Sequence, residues 1–382
     1  MLYSGVPDGL KHVQESVTRH YLYERKAKTD VQPRKAKGKL SLEGITRNNL
    51  HNLDVDIPLG ILTTVTGVSG SGKSSLVSQV VVELVAAQLG MKIDVAEDDS
   101  DLLEKDDVKT LGGQITGGLQ GIKRLVIVDQ KPIGRTPRSN LATYTGLFDH
   151  VRKLFANTKT AKERKYDAGR FSFNVVKGRC PHCEGEGFVM VELLFLPSVY
   201  TPCPTCGGTR YNPKTLEVTY KDLNIAEVLN LTVDDAAQFF DEAPQISRAL
   251  EVVREVGLGY LRLGQPATEL SGGEAQRIKL ATELQRAQHG NTLYILDEPT
   301  TGLHPSDVER LLTQLNRLVD EGNTVVIVEH DMDVIAQSDW IIDIGPGAGD
   351  EGGRIVVEGV PTDVALEGGS RTGFYLGRHL GR

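Results

Sequence analysis

Apolar positions along this chain gather into short β-branched runs set between longer amphipathic stretches. Ile61–Thr66 (ILTTVT), Arg124–Asp129 (RLVIVD), Leu293–Leu296 and Thr324–Val328 read as buried strands, and further strand signals follow at Trp340–Ile344 and Arg354–Val357. Leu40–Ile57 is strand-rich with a turn at Asn48-Asn49, and a helix is expected from about Ser74 to Leu89. Strands alternating with helices imply a largely parallel sheet covered by helices. The alternation stops over residues 151–260 and resumes from Glu269. The expected organisation is a tail and linker over 1–39, a first core part over 40–150, an insertion over 151–260 and a second core part over 261–382. Within the linker, residues 24–39 are polar and basic.

Composition narrows the class. The chain is 39% hydrophobic and 25% charged, as in a soluble globular protein. No apolar run approaches a membrane-spanning length, and the first residues lack a secretory signal, so the expected location is the cytoplasm, with no membrane partner. Net charge is −8, yet residues 131–179 carry +9 and the remainder −17. Such a local basic field can hold a polyanion, or it can be a solvated face without a partner. Asp94–Asp107, with eight acids and one lysine, reads as an exposed connection.

Gly67-Val-Ser-Gly-Ser-Gly-Lys73-Ser74 follows a predicted strand and precedes a helix, the context of a phosphate-binding loop. Gly67, Ser69, Gly70, Ser71, Gly72, Lys73, Ser74 and Ser75 are therefore candidate nucleotide-binding residues. Glycines let backbone N–H groups converge on phosphate oxygens, and the helix N-terminus adds positive potential. Lys73 is expected on the β/γ-phosphates and the Ser74 hydroxyl on Mg²⁺. The apolar strand Thr292–Leu296 ends in Asp297 and Glu298, one to hold Mg²⁺ through water and the other to act as general base.

All four cysteines lie in Cys180-Pro-His-Cys183 and Cys203-Pro-Thr-Cys206, separated by 19 residues. That spacing is a structural zinc signature with no open coordination position; a redox pair is the rival reading. Just upstream, Arg170, Lys177 and Arg179 are candidate phosphate contacts, with a solvated rim as the alternative. Phe171 and Phe173 are expected to pack against the knuckles in preference to stacking on bases.

One internal repeat stands out. Residues 3–22 align without gaps to 357–376, with seven identities including Gly5-Val6-Pro7 against Gly359-Val360-Pro361. It suggests that residues 1–22 are the tail of a preceding, similar module.

Leu270-Ser-Gly-Gly-Glu-Ala-Gln-Arg277 resembles the signature sequence of ABC ATPases. Gln130 after RLVIVD and His330 after TVVIVE match the Q-loop glutamine and switch histidine of that family. The resemblance implies catalytic roles for Gln130, Glu298 and His330. It also implies that Ser271, Gly272 and Gly273 complete a nucleotide site on an opposing module, in cis or in a homodimer. The fold class expected is thus α/β, an ABC-type P-loop ATPase core with a large inserted signature and zinc-binding domain. With zinc between Q-loop and signature, the order resembles the UvrA family, most specifically in Gln130–Asn140, Gly169–Asn174 (GRFSFN), Leu270–Arg277 and Asp297–His304.

The resemblance covers roughly 40–382 and suggests the C-terminal half of such a protein. It implies ATP or ADP, Mg²⁺ and one structural Zn²⁺ as ligands, damaged double-stranded DNA as target, and a helicase-like UvrB partner for the full-length protein. Lys131 and Leu141 stand where Ser and Pro are expected, and Asp94–Gly121 has no match. These departures leave room for a drug-resistance paralogue. A half-size exporter ATPase and a non-hydrolysing DNA-binding fragment are the rival classes.

Overall fold

The computed structural model describes residues 1–24, 32–91, 112–193, 196–286 and 290–381. The acidic stretch 94–107 and part of the linker 24–39 lie outside these residues. A short helical segment, Pro7–His12, opens the chain. The first two strands form a hairpin, β1 (Gly38–Arg47) and β2 (Leu50–Leu59), closed at Asn48-Asn49 with Asn48 at φ 51°. Asparagine tolerates that left-handed backbone better than most residues. Next come β3 (Leu62–Gly67), β4 (Gln114–Gly117) and β5 (Arg124–Val128). Two small hairpins follow, β6 (Phe188–Leu193) with β7 (Leu196–Pro202), and β8 (Thr219–Tyr220) with β9 (Leu223–Asn224). The chain then supplies β10 (Thr292–Asp297), β11 (Thr324–Val328), β12 (Trp340–Gly345) and β13 (Arg354–Gly359).

A six-stranded sheet takes the order β13-β12-β3-β11-β10-β5, parallel except for β13. Every residue of β3 and β11 is buried, as expected of central strands covered on both faces. The amphipathic helix Pro305–Asp320 buries Val308, Leu311, Leu312, Leu315, Leu318 and Val319, the spacing of one helical face. An antiparallel sheet β2-β1-β4 shares a core with the helical stretch Ser75–Gln88 through Leu40, Ile45, Leu50, Leu76, Val80 and Val85.

The chain divides into two compact units, Met1–Asp129 with Gln288–Arg382, and Gln130–Ala287. The second is wider than the insertion expected at 151–260. Its added flanks pack within it: Asn140 bridges to Pro266, and Ala267 N–H donates to the Ser139 carbonyl at 2.8 Å. The helix Leu147–Ala156 buries Leu147, Phe148, Val151 and Phe155; Phe148 stacks on Phe173, and Phe155 lies against Phe171. Phe171 and Phe173 are thus core residues, 0% and 1% exposed.

Candidate functional site: a nucleotide edge and a four-cysteine cluster

Parallel strands end at one edge of a sheet, and ligands of open α/β sheets bind there. β3 runs into the glycine loop, β10 into Asp297-Glu298, and β11 into Glu329-His330. Gly67, Gly70 and Gly72 take φ of 141°, 75° and 109°, which side chains other than glycine rarely adopt. A Cβ on Gly67 would also collide with the Ile344 carbonyl. The loop is braced from outside: Asn49 Nδ2 donates to the Gly70 carbonyl (3.2 Å) and the Gly349 carbonyl (3.0 Å), and Gly353 N–H donates to the Ser71 carbonyl (2.8 Å). Ser71 is buried and Ser69 exposed. Ser74 stands at the N-cap position of the helical stretch that begins at Ser75.

Lys73 is 6% exposed, and its Nζ donates to the carbonyls of Gly67 (3.1 Å) and Val68 (2.8 Å). Burial pulls its pKa down against the opposing attraction of Glu298, Asp297 and Asp343. Burial raises the pKa of Asp297, opposed by hydrogen bonds from Ser78 and Ser74; Ser78 Oγ donates to Oδ2 at 3.0 Å. The donor set fits a nucleotide with its Mg²⁺: a lysine, glycine backbone amides, a serine hydroxyl and a strand-end carboxylate. Glu298 sits at φ 43°, and its Oε1 lies 3.4 Å from His330 Nε2, both side chains being nearly half exposed.

In the second unit the four sulfurs of Cys180, Cys183, Cys203 and Cys206 lie within 4.8 Å of one another, with Cys183 and Cys206 at 3.6 Å. A tetrahedral zinc with Zn–S near 2.3 Å sets sulfurs roughly 3.8 Å apart, so the cluster fits that ion. Burial pushes the Cys183 thiol up to about 12, while for Cys203 burial is outweighed by hydrogen bonds from the backbone N–H groups of Cys206 and Thr205 together with those from the Cys206 and Cys183 side chains, which bring it down to about 6. A cation at the centre would favour the thiolate at all four.

Arg210 follows the second knuckle at φ 73° and is 4% exposed. Its carbonyl accepts from Cys180 N–H at 2.8 Å. Its guanidinium donates to the carbonyls of Pro137 (2.8 Å) and Gly264 (3.2 Å) and lies over the Phe173 ring.

Ser271 caps the helix Gly272–Gln285 in a reciprocal arrangement with Glu274, whose other oxygen accepts from Tyr260 OH at 2.7 Å. Gly272 lies against Gln130: a Cβ there would stand 3.2 Å from Gln130 Cβ. Gly273 continues the first turn of this helix.

The family model described as ABC transporter matches residues 50–301, from β2 through the strand-end carboxylates. The chain belongs to the ABC transporter family. Over nearly its whole length this ABC chain is similar to UvrABC system protein A. It is 51% identical to that of Streptococcus pyogenes serotype M1 over 98% of this chain and 38% of the relative. With that of Staphylococcus aureus strain COL the identity is 50%, over 99% of this chain and 39% of the relative. The crystal structure of UvrA2 from Deinococcus radiodurans matches with a TM-score of 0.90 and 62% identity, over 99% of this chain and 44% of that one. The chain thus spans less than half the length of these relatives. No helix among the described residues is long and apolar enough to cross a membrane.

The ABC chain's basic candidates differ in availability. Arg170 donates from Nε to Thr215 Oγ1 (2.9 Å) and from Nη2 to Asn212 Oδ1 (3.2 Å), and lies over the Tyr166 ring. Arg179 pairs with Glu184 at 3.0 Å, whereas Lys177 is exposed. The glycine loop, Asp297, Glu298 and His330 fall together in the first unit. Gln130, Ser271, the cysteines and the basic candidates fall in the second. Sequence reasoning missed Ser78, Asn49, Asp343, Glu329 and Arg210. For Ser78 a signal existed, one helical turn beyond Ser74 on the same face; the others meet their partners only through the fold.

Proposed function

We propose that this chain is the C-terminal ABC module, with its zinc module, of a nucleotide excision repair ATPase that binds damaged duplex DNA. The full-length protein would act with a helicase-like partner, and its site would pair with a second ABC module or copy. The observation that carries the reading is the identity of about half of all positions with UvrABC system protein A across 98–99% of this chain. The glycine loop and strand-end carboxylates meeting at one sheet edge support it.

In this reading Lys73 and the loop amides bind the β- and γ-phosphates, and Ser74 and Asp297 hold Mg²⁺, which neutralises charge on the phosphates. Glu298 takes the proton of the attacking water, and His330 positions the γ-phosphate beside it. Zinc on the four cysteines cross-links the two knuckles and takes no part in the chemistry. Lys177 and Arg179 offer cations to phosphates, Arg179 by giving up its pairing with Glu184.

Duplex binding measured with and without ATP, at two stated salt concentrations, tests the reading. Replacing Lys177 and Arg179 with alanine should lower the log–log salt slope by up to about 0.9 per lost contact. An unchanged slope would put the phosphate contacts elsewhere, and no duplex binding at low salt would remove the DNA function.

A second reading has its own support: identity to the UvrA2 structure, 62%, exceeds the 50–51% with the two UvrABC system proteins. A drug-resistance paralogue of UvrA would bind DNA and need not recruit the repair partner. Failure to co-elute with that partner in ATP, with duplex binding intact, would favour it.

A further inference from the structure

Glu329 follows β11 directly and is 2% exposed. Its Oε1 accepts from Thr300 N–H at 2.9 Å and from Thr300 Oγ1 at 2.7 Å. Its Oε2 accepts from the N–H groups of His330 at 2.9 Å and Asp331 at 3.3 Å. One carboxylate thus holds the loop after Glu298 with one oxygen and the loop of His330 with the other. Main-chain N–H groups can only donate, so both oxygens must accept.

What needs holding is visible next door. Glu298 has a left-handed backbone, costly for a residue with a Cβ, and such conformers persist only where surroundings over-determine them. Glu298 N–H donates to the Val328 carbonyl (2.9 Å), and Thr301 N–H to the Glu298 carbonyl (3.2 Å). The hydrogen bonds of Glu329 join the two loops through a buried group, while the Glu298–His330 contact at 3.4 Å is half exposed.

We propose that Glu329 is a positioning residue for ATP hydrolysis, fixing the general base Glu298 and the switch histidine His330 in register through one shared carboxylate. The inference rests on the ATP-hydrolysing reading above. Glu329→Gln is the informative change: the amide can accept on one side but presents N–H groups to donors on the other, so one loop is released whichever way it turns. Nucleotide is gripped by Lys73 and the glycine loop, which Glu329 does not touch, so binding should survive.

The expected result is a kcat lower by roughly 10²-fold with KM and ATP-binding stoichiometry near the parent's, because an alignment made only for the transition state is lost. Thr300→Val removes the hydroxyl arm alone and should give a smaller loss, with the double variant no worse than Glu329→Gln. If Glu329→Gln fails to fold, as its ATP-binding stoichiometry would report, Thr300→Val still decides: parental kcat there overturns the proposal. Glu298→Gln runs in parallel. If it abolishes turnover while Glu329→Gln and Thr300→Val match the parent, the positioning role alone is wrong. A parent without ATP turnover sinks the hydrolytic reading, and turnover of Glu298→Gln equal to the parent's removes Glu298 as the general base; either takes this inference with it.

Discussion

At the scale of single residues, Lys73 shows how the fold sets chemistry. Its amine is buried against two carbonyls, and burial lowers its pKa while three carboxylates oppose the change. A phosphate would replace neutral acceptors with charged ones, and hydrogen bonds to charged groups are worth roughly 1.5–3 kcal/mol each. Lys73→Ala should therefore weaken ATP binding by about 10- to 100-fold in calorimetric titration; affinity within error of the parent would place the phosphates elsewhere. Glu298→Gln should behave oppositely, retaining affinity and losing about 10²- to 10⁴-fold in steady-state turnover. Both residues were legible in the sequence because their geometry is local: a strand, a turn and a helix start within a dozen positions. Glu329 was not, since the contact that makes it a bridge is to Thr300, 29 residues away in sequence and brought near by the pairing of β10 with β11. Asn49 was equally invisible, its side chain spanning to Gly349, 300 residues away.

Among elements, the strands of the six-stranded sheet were read within a residue or two, and for the central ones the reason is burial on both faces; the short strands β4 and β6–β9 were not read. β11 spans Thr324–Val328, the bounds read from the sequence, and β5 ends one residue short of the reading. The extent of the second unit was harder, because residues 141–150 and 272–285 were expected within the core parts yet fall in the unit of the cysteine knuckles. Arg210 is one of the ties. Its guanidinium has two backbone carbonyls as partners, one in the segment after Gln130 and one in the loop leading to Ser271. Truncation leaves buried acceptors unmatched, at about 1–3 kcal/mol each. Arg210→Ala should lower the thermal midpoint while metal content, read by elemental analysis, stays at the parent's value. Arg210→Lys should rescue little, because a point ammonium cannot span two acceptors as the fork does. Full rescue by lysine would make the role one of charge alone.

Across the whole molecule, the sequence repeat is also a repeat of local structure. Pro7 and Pro361 each open a short helical segment, and Ser16 and Ser370 each cap the next one, accepting from Arg19 N–H and Gly373 N–H. The two copies are used differently: Ser370 and Thr372 donate to buried Asp343 on β12, while Thr18 meets His304. In the proposed pairing with a second ABC module or copy, Ser271 would serve the nucleotide of that other module. Turnover of this chain should accordingly rise with protein concentration. Ser271→Arg should abolish that rise and leave ATP affinity at high dilution unchanged. The change also removes a helix cap worth about 1 kcal/mol, so Ser271→Ala is run beside it to separate lost capping from blocked pairing. Loss of ATP binding by Ser271→Arg at high dilution, with Ser271→Ala intact, would mean that the serine serves its own module's nucleotide, and the paired arrangement would have to be abandoned.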